Sequence, residues 1–160
     1  MDVFVGELTH NYDNEGIDKS SILTGRTLKE SPRFYRTEYT QDDFDPDWHQ
    51  AERRGIWTDI NNDGRLDLIV DNSGYPPHTK LIIFEQLPDH SFIDRSIEFQ
   101  INIPNPIATV LLDVNRDGRM DILTSKSLIR NESEQSKIFL FENVIENKNK
   151  SLRFYLRGHN

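Results

Sequence analysis

Two short stretches of the chain carry a dense set of oxygen-bearing side chains. The first reads DINNDGRLD from Asp59 to Asp67, and the second reads DVNRDGRMD from Asp113 to Asp121. Carboxylates at such close spacing repel one another unless solvent or a cation separates them. Side-chain oxygens without His or Cys favour calcium over zinc or copper, and magnesium demands stricter octahedral geometry. The two stretches therefore predict two structural calcium sites.

The predicted ligands occupy the same positions in both loops. Alternate side chains can point inward in a tight turn, and a Gly supplies the sharp bend at the sixth position. The Arg that follows offers its main-chain carbonyl, while its side chain must face out. There it either bridges to a neighbouring carboxylate or, as is more common, is an ordinary surface residue. In the first loop the ligands are Asp59, Asn61, Asp63, the Arg65 carbonyl and Asp67. In the second loop they are Asp113, Asn115, Asp117, the Arg119 carbonyl and Asp121.

A metal-free turn and two helical calcium motifs share parts of this pattern. A single Asp-Gly turn is itself a hairpin signal and needs no metal, but the matching second copy favours calcium. An EF-hand or a dockerin needs an acidic residue at the twelfth position, where this chain has Val70 and Thr124. The stretch YDNEGIDKS imitates the motif, but Asp18 follows Gly16 too closely, which favours a polar loop insert.

The elements around the loops repeat as well. The β-type runs RGIWT and IATVLL precede the two loops, and LDLIV and MDILT follow them. Further on, TKLIIFEQL corresponds to SKIFLFENV, and HSFIDRSIEF corresponds to KSLRFYLRG. Each unit thus holds four short strands separated by turn signals. The N-terminal MDVFVGEL resembles the run after a loop, which makes Asp2 the last acidic position of a loop whose beginning is absent.

This repeat predicts an all-β fold of four-stranded antiparallel sheets, the size of β-propeller blades. Residues 1–45 are predicted to form a partial blade. Residues 50–104 form a blade with the calcium loop 59–67, and residues 105–160 form a blade with the loop 113–121. Because four to eight blades close a ring, we expect the chain to be part of a longer propeller, or an array whose open edges are covered by copies of itself.

Composition excludes several classes of protein. The 160 residues include 27 Asp and Glu against 19 Lys and Arg, for a net charge of −8. Nucleic-acid binding needs clustered basic residues and is not expected. No apolar run approaches the ~18 residues that cross a bilayer, so membrane insertion is not expected either. The chain has no Cys, which rules out disulfides and thiolate metal sites.

The pattern D-x-[DN]-x-D-G-x-x-D-[LI] between two strands resembles the FG-GAP/VCBS repeats, the blade units of integrin α-like propellers. The C-terminal stretch NKSLRFYLRGHN is similar to the start of the ASPIC/UnbV module of bacterial exported proteins. The resemblance implies a seven-bladed propeller with calcium held in the blade hairpins. It also implies a secreted, periplasmic or cell-surface location. The first unit departs from the pattern, because only Asp2 of its loop is present.

Two functional hypotheses follow. The first is a calcium-stabilised, non-catalytic module for extracellular binding or adhesion, whose propeller face takes a protein or glycan. The second is part of a secreted carbohydrate-active hydrolase or lyase with structural calcium, using a carboxylate pair drawn from residues such as Glu7, Glu52 or Asp94. Trp57 could stack on a sugar, but its place on a strand beside the loop favours a core role.

Overall fold

The computed structural model of the chain describes residues 2–6, 20–28, 31–38, 52–73, 79–126, 135–146 and 158. Within these ranges, all regular secondary structure consists of β-strands. The strands are β1 (Asp2–Val5), β2 (Ser21–Leu28), β3 (Ser31–Glu38), β4 (Glu52–Thr58), β5 (Asp67–Asn72), β6 (Leu81–Gln86), β7 (Phe92–Asp94), β8 (Pro106–Leu112), β9 (Asp121–Lys126) and β10 (Lys137–Phe141). All strand pairs are antiparallel, so the predicted all-β fold is confirmed for the described residues.

The strands form three sheets that follow one another along the chain. The first has the order β1-β2-β3, the second β4-β5-β6-β7, and the third β10-β9-β8. The second sheet is therefore four-stranded, as predicted, and the other two contain three described strands each. Residues 147–157, which hold most of the predicted last strand, lie outside the described residues, as do the connector at 40–50 and the imitation loop at 12–19. The division into one partial and two complete blades stays a prediction.

One predicted strand is shorter than its sequence pattern. The run HSFIDRSIEF contributes only Phe92–Asp94 to the sheet. The chain then turns, with the Phe99 main-chain N donating to the Arg95 carbonyl at 3.0 Å. Arg95 N and the Ser96 hydroxyl both contact the main chain of Ile83 on β6, which fixes the point where the strand ends.

The core lies on both faces of β5, whose residues are all buried. Because side chains alternate across a strand, neighbouring residues of β5 enter different clusters. One cluster joins the second and third sheets and contains Ile60, Ile69, Leu81, Ile83, Ile101, Ile103 and Ile122. The other joins the first and second sheets and contains Ile22, Leu68, Val70, Ile82 and Phe84. The buried run after the first loop is therefore the strand on which the neighbouring sheets pack.

Trp57 packs against the second of these clusters, with its ring 5.9 Å from that of Phe92 in an edge-to-face arrangement. This position agrees with the core role predicted for Trp57. The first sheet approaches β4 closely, because a Cβ added to Gly55 would lie 2.4 Å from Phe4 Cδ1. Gly55 thus leaves the space that the Phe4 ring fills.

Candidate metal centre

The two acidic loops join equivalent strands and share one backbone conformation. The first loop connects β4 to β5, and the second connects β8 to β9. Their fourth residues, Asn62 and Arg116, have φ values of 54° and 63°. Their glycines, Gly64 and Gly118, have φ values of 91° and 90°. Two left-handed residues at the same positions show that the sequence repeat is a repeat of local structure.

In the first loop, the acidic and amide side chains turn inward onto the loop's own backbone. Asp59 accepts from the main-chain N of Asp63 at 2.8 Å and from that of Gly64 at 2.9 Å. Asn61 Oδ1 accepts from Asp63 N at 3.0 Å, and Asp63 Oδ1 accepts from Arg65 N at 2.9 Å. The oxygens of Asp59 and Asn61 therefore meet at a single main-chain donor, which gathers the predicted ligands.

The second loop repeats these contacts one for one. Asp113 accepts from Asp117 N at 3.0 Å and from Gly118 N at 3.1 Å. Asn115 Oδ1 accepts from Asp117 N at 3.0 Å, and Asp117 Oδ1 accepts from Arg119 N at 2.9 Å. The Arg119 donor holds the pKa of the Asp117 carboxyl below its ordinary value. Asp117 is thus kept in the charged form that a metal ligand needs.

The last acidic residue of each loop is buried at the start of the following strand. Asp67 and Asp121 both have 0% of their surface exposed. Asp67 accepts from Ile60 N at 3.0 Å and from Gln86 N at 2.9 Å. Asp121 accepts from Val114 N at 2.8 Å and from Asn143 N at 2.8 Å. Each closing carboxylate therefore ties its loop to the end of the next strand along the chain.

Burial makes the charge of Asp67 costly. Desolvation, with a smaller contribution from the nearby charges of Asp63 and Asp59, raises the pKa of this carboxyl from 3.8 to about 6. The two main-chain donors from Gln86 and Ile60 act in the opposite direction but do not outweigh the burial. A cation at the loop would relieve the desolvation and the repulsion at once.

Of the two alternatives for the outward arginine side chains, the structure shows the bridge to a carboxylate and not the plain surface position. Arg65 Nε donates to the Gln86 carbonyl at 2.8 Å, while its Nη2 contacts Asp63 Oδ2. Arg119 Nε donates to the Asn143 carbonyl at 2.6 Å, and its Nη2 contacts Asp117 Oδ2. The planar guanidinium therefore joins a carboxylate of the loop to a main-chain carbonyl of the neighbouring chain segment.

Two glutamates beside the loops were missed by the sequence analysis. Asn61 Nδ2 donates to Glu85 at 3.3 Å, and Asn115 Nδ2 donates to Glu142 at 2.8 Å. Each amide nitrogen also donates to the Asp at the fifth position of its loop, at 3.0 Å and 2.8 Å, which leaves Oδ1 to accept from the loop backbone. Their signal in the sequence is the dipeptide Phe-Glu at the same place in the runs TKLIIFEQL and SKIFLFENV.

The chemistry and the backbone of each loop fit calcium. The side chains offer carboxylate and amide oxygens, which are the donors that calcium takes, on a turn with the required glycine. Among the described residues, no three Asp, Glu or His side chains are gathered closely enough to enclose an ion. Asp63 and Asp117 are paired with the guanidinium groups of Arg65 and Arg119, and a bound ion would draw these carboxylates towards the other oxygens of each loop.

The remaining acidic candidates have other partners. Asp2 on β1 accepts from the main-chain N of Gly25 at 3.1 Å, which makes it part of the first sheet. Asp94 lies 3.0 Å from Lys80 Nζ and accepts from Ser96. Burial raises the pKa of Asp94, but the hydrogen bonds from Ser96 and Lys80 outweigh it and leave that pKa below its ordinary value. Glu7 lies outside the described residues.

Comparison with known protein families gives a match that covers both loops. Residues 59–124 match the family model described as an FG-GAP-like repeat. The matched range runs from the first residue of the first loop to the middle of β9, so it contains both loops. No curated protein and no solved structure matches the chain. No helix among the described residues is long and apolar enough to cross a membrane.

The match supports the FG-GAP part of the sequence-based resemblance. The VCBS and ASPIC/UnbV assignments remain predictions. Among the described residues, the second sheet has the four antiparallel strands of such a blade.

Proposed function

We propose that the chain is a calcium-stabilised repeat module of a β-propeller, which works outside the cytoplasm and binds a protein or glycan. The observation that carries the proposal is the recurrence of one loop conformation at two places in the chain. Left-handed residues at matching positions and matching hydrogen bonds hold the same oxygens in the same order. A solvated turn has no need to reproduce every one of these details.

The residues of each loop would contribute different ligands to a bound calcium ion. The carboxylates at the first, fifth and ninth positions supply charge, the Asn supplies a neutral oxygen, and the Arg supplies its carbonyl. Calcium bound there would cross-link the hairpin by joining the turn to the start of the next strand. The Arg side chain and the Glu beside the Asn orient this set from outside, as outer partners do in metal sites.

The proposed role of the ion is structural and the module is proposed to be non-catalytic. Extracellular calcium modules bind with dissociation constants of about 10⁻⁴ to 10⁻³ M or somewhat tighter, which requires millimolar free calcium. That range supports a secreted, periplasmic or cell-surface protein. The exposed edges of the sheets would be covered by further blades of a longer chain or by copies of this one.

The test is a set of thermal melts with EGTA and with excess calcium. The informative variants are Asp59→Asn and Asp113→Asn, because each removes one ligand charge and keeps an oxygen that can accept from the loop backbone. Glu146→Gln is the matched control, since it removes the same charge from an exposed residue outside both loops.

We expect calcium to raise the melting temperature of the wild-type chain and of Glu146→Gln. Each loop variant should bind one calcium fewer in calorimetry and show a smaller rise. Magnesium at the same concentration should give little stabilisation. An unchanged melt in calcium and EGTA would overturn the proposal, and equal behaviour of loop and control variants would remove its assignment to these residues.

A further inference from the structure

Asn143 lies between the two loops and touches both. Its side-chain Nδ2 donates to the carbonyl of Ile60, the second residue of the first loop, at 2.7 Å. Its main-chain N donates to Asp121, the last residue of the second loop, at 2.8 Å. Asn143 follows β10 and is 9% exposed, and the contact with Ile60 is buried.

The chain of contacts continues into the first loop. The main-chain N of Ile60 donates to Asp67 at 3.0 Å, so Ile60 is held on one side by the closing carboxylate and on the other by Asn143. The closing carboxylates Asp67 and Asp121 are therefore connected by hydrogen bonds through only two residues. Ile60 is 3% exposed, so water cannot easily take the place of these hydrogen bonds, and losing one would leave a buried polar group without a partner.

The side-chain contact is what distinguishes Asn143 from its counterpart in the preceding unit. Gln86 makes the same two main-chain contacts to its own loop, donating to Asp67 and accepting from Arg65. Asn143 repeats them with Asp121 and Arg119. The Asn143 amide adds the link from the second unit back to the loop of the first, and its Oδ1 is held in place by Ile145 N at 3.0 Å.

We propose that Asn143 is a positioning residue that couples the two calcium loops, so that filling one loop raises the calcium affinity of the other. This inference rests on the proposed function. An ion in the first loop would order Asp67 and the Ile60 carbonyl, and that carbonyl holds the Asn143 amide. Once Asn143 is ordered, its main-chain N–H fixes Asp121. The second ion then loses less conformational entropy of the protein when it binds, so its affinity rises. The expected coupling is about fivefold in affinity, at the low end of measured allosteric couplings.

The experiment is a calcium titration of the ¹⁵N-labelled chain followed by NMR. The amides of Gly64 and Gly118 donate to Asp59 and Asp113, so each reports the occupancy of one loop. Asp59→Asn weakens the first loop without touching the second, and Asp113→Asn does the reverse. Coupling predicts that each variant lowers the affinity at the other loop about fivefold, and linkage requires the two factors to be equal.

Asn143→Ala then assigns the coupling to this side chain. In that background, Asp59→Asn should leave the affinity of the second loop unchanged. Asn102→Ala is the matched control, because it truncates an exposed Asn outside the bridge and should preserve the coupling. If Asn143→Ala does not fold, Asn143→Asp keeps the shape and removes the donor, and it should abolish the coupling as well.

The outcomes separate the two proposals. Calcium binding at both loops, with each affinity independent of the other loop, would overturn the coupling and leave the proposed function standing. Coupling that persists at full size in Asn143→Ala and Asn143→Asp would overturn the role of Asn143. Failure of either glycine amide to respond to calcium would overturn the proposed function and the coupling together.

Discussion

Asp71 on β5 and Thr109 on β8 are joined by two buried hydrogen bonds. The Thr109 main-chain N donates to Asp71 Oδ2 at 3.2 Å, and the Thr109 hydroxyl donates to Oδ1. The register of β8 with β9 shifts between Ile107 and Val110, and Ala108 adopts a φ of 57°. This bulge turns the Thr109 N–H away from its own sheet and towards Asp71. The second and third sheets are thus fastened by a carboxylate as well as by the apolar cluster.

Thr109→Val is expected to destabilise the chain by about 1–3 kcal/mol, because it leaves a buried carboxylate oxygen without its donor at nearly constant volume. Urea unfolding measures the change. Thr37→Val, on the exposed strand β3, makes the same substitution without a buried partner and should change stability by less than about 0.5 kcal/mol. Equal losses in the two variants would contradict the fastening role of Thr109.

Gly64→Ala is expected to destabilise the chain by about 1–2 kcal/mol through backbone strain. Gly64 has a φ of 91°, and an added Cβ would meet nothing within 4 Å, so the loss would arise from the left-handed conformation rather than from a clash. Thermal melts in excess calcium measure it. The control is Gly158→Ala, where an added Cβ also meets nothing within 4 Å and no positive φ is imposed.

Arg116→Asn is expected to stabilise the second loop by about 0.5–1 kcal/mol, because Asn adopts the left-handed region more readily than Arg. The first loop already has Asn62 at this position, with a φ of 54° against 63° for Arg116. Arg116→Gln removes the same charge without that conformational preference. A melting temperature raised equally by both variants would show that charge, and not backbone conformation, is the cause.

Without calcium, the free energy of unfolding of the chain should depend on the protonation of Asp67. Because burial raises the folded pKa of this carboxyl from 3.8 to about 6, the protonated form is favoured in the folded state. The stabilisation from protonated Asp67 is therefore fully present below pH 3.8, and it is lost as the pH rises through about 6. Urea unfolding in EGTA between about pH 3.5 and 7.5, together with a ¹³C titration of the carboxyl, measures both quantities.

Calcium affinity should depend on pH in the direction opposite to that of the calcium-free stability. The ion needs the ionised carboxylate, so calcium affinity should fall as the pH drops below about 6, and binding near about pH 5.5 should release a proton. Glu146→Gln should leave the pH profile unchanged, because Glu146 is exposed and outside the loops. A titration of Asp67 near its ordinary pKa of 3.8 in EGTA would contradict the prediction.

Much of the fold could be predicted because its signals are local. A buried apolar run such as the one in β5 identifies a strand from a few neighbouring residues, and Asp-Gly within a repeated pattern identifies the turn before it. The strand β7 was overestimated, since Ser96 and Arg95 bond to the main chain of Ile83, which no local pattern reports. The sequence favoured a plain surface position for Arg65 over a bridge for a similar reason: its carbonyl partner, Gln86, lies 21 residues further along the chain.

The sequence by itself determined the chemistry of each loop, because nine consecutive residues carry the oxygens, the bend and the order in which they meet. It also determined that the chain is built of β-strands in repeated units. Only the tertiary structure decided how these units are fastened together. The bridge from Asn143 to Ile60 spans 83 residues and the pair Asp71–Thr109 spans 38. Such contacts depend on how whole sheets pack, because the local sequence around each residue does not indicate which distant residue it will contact.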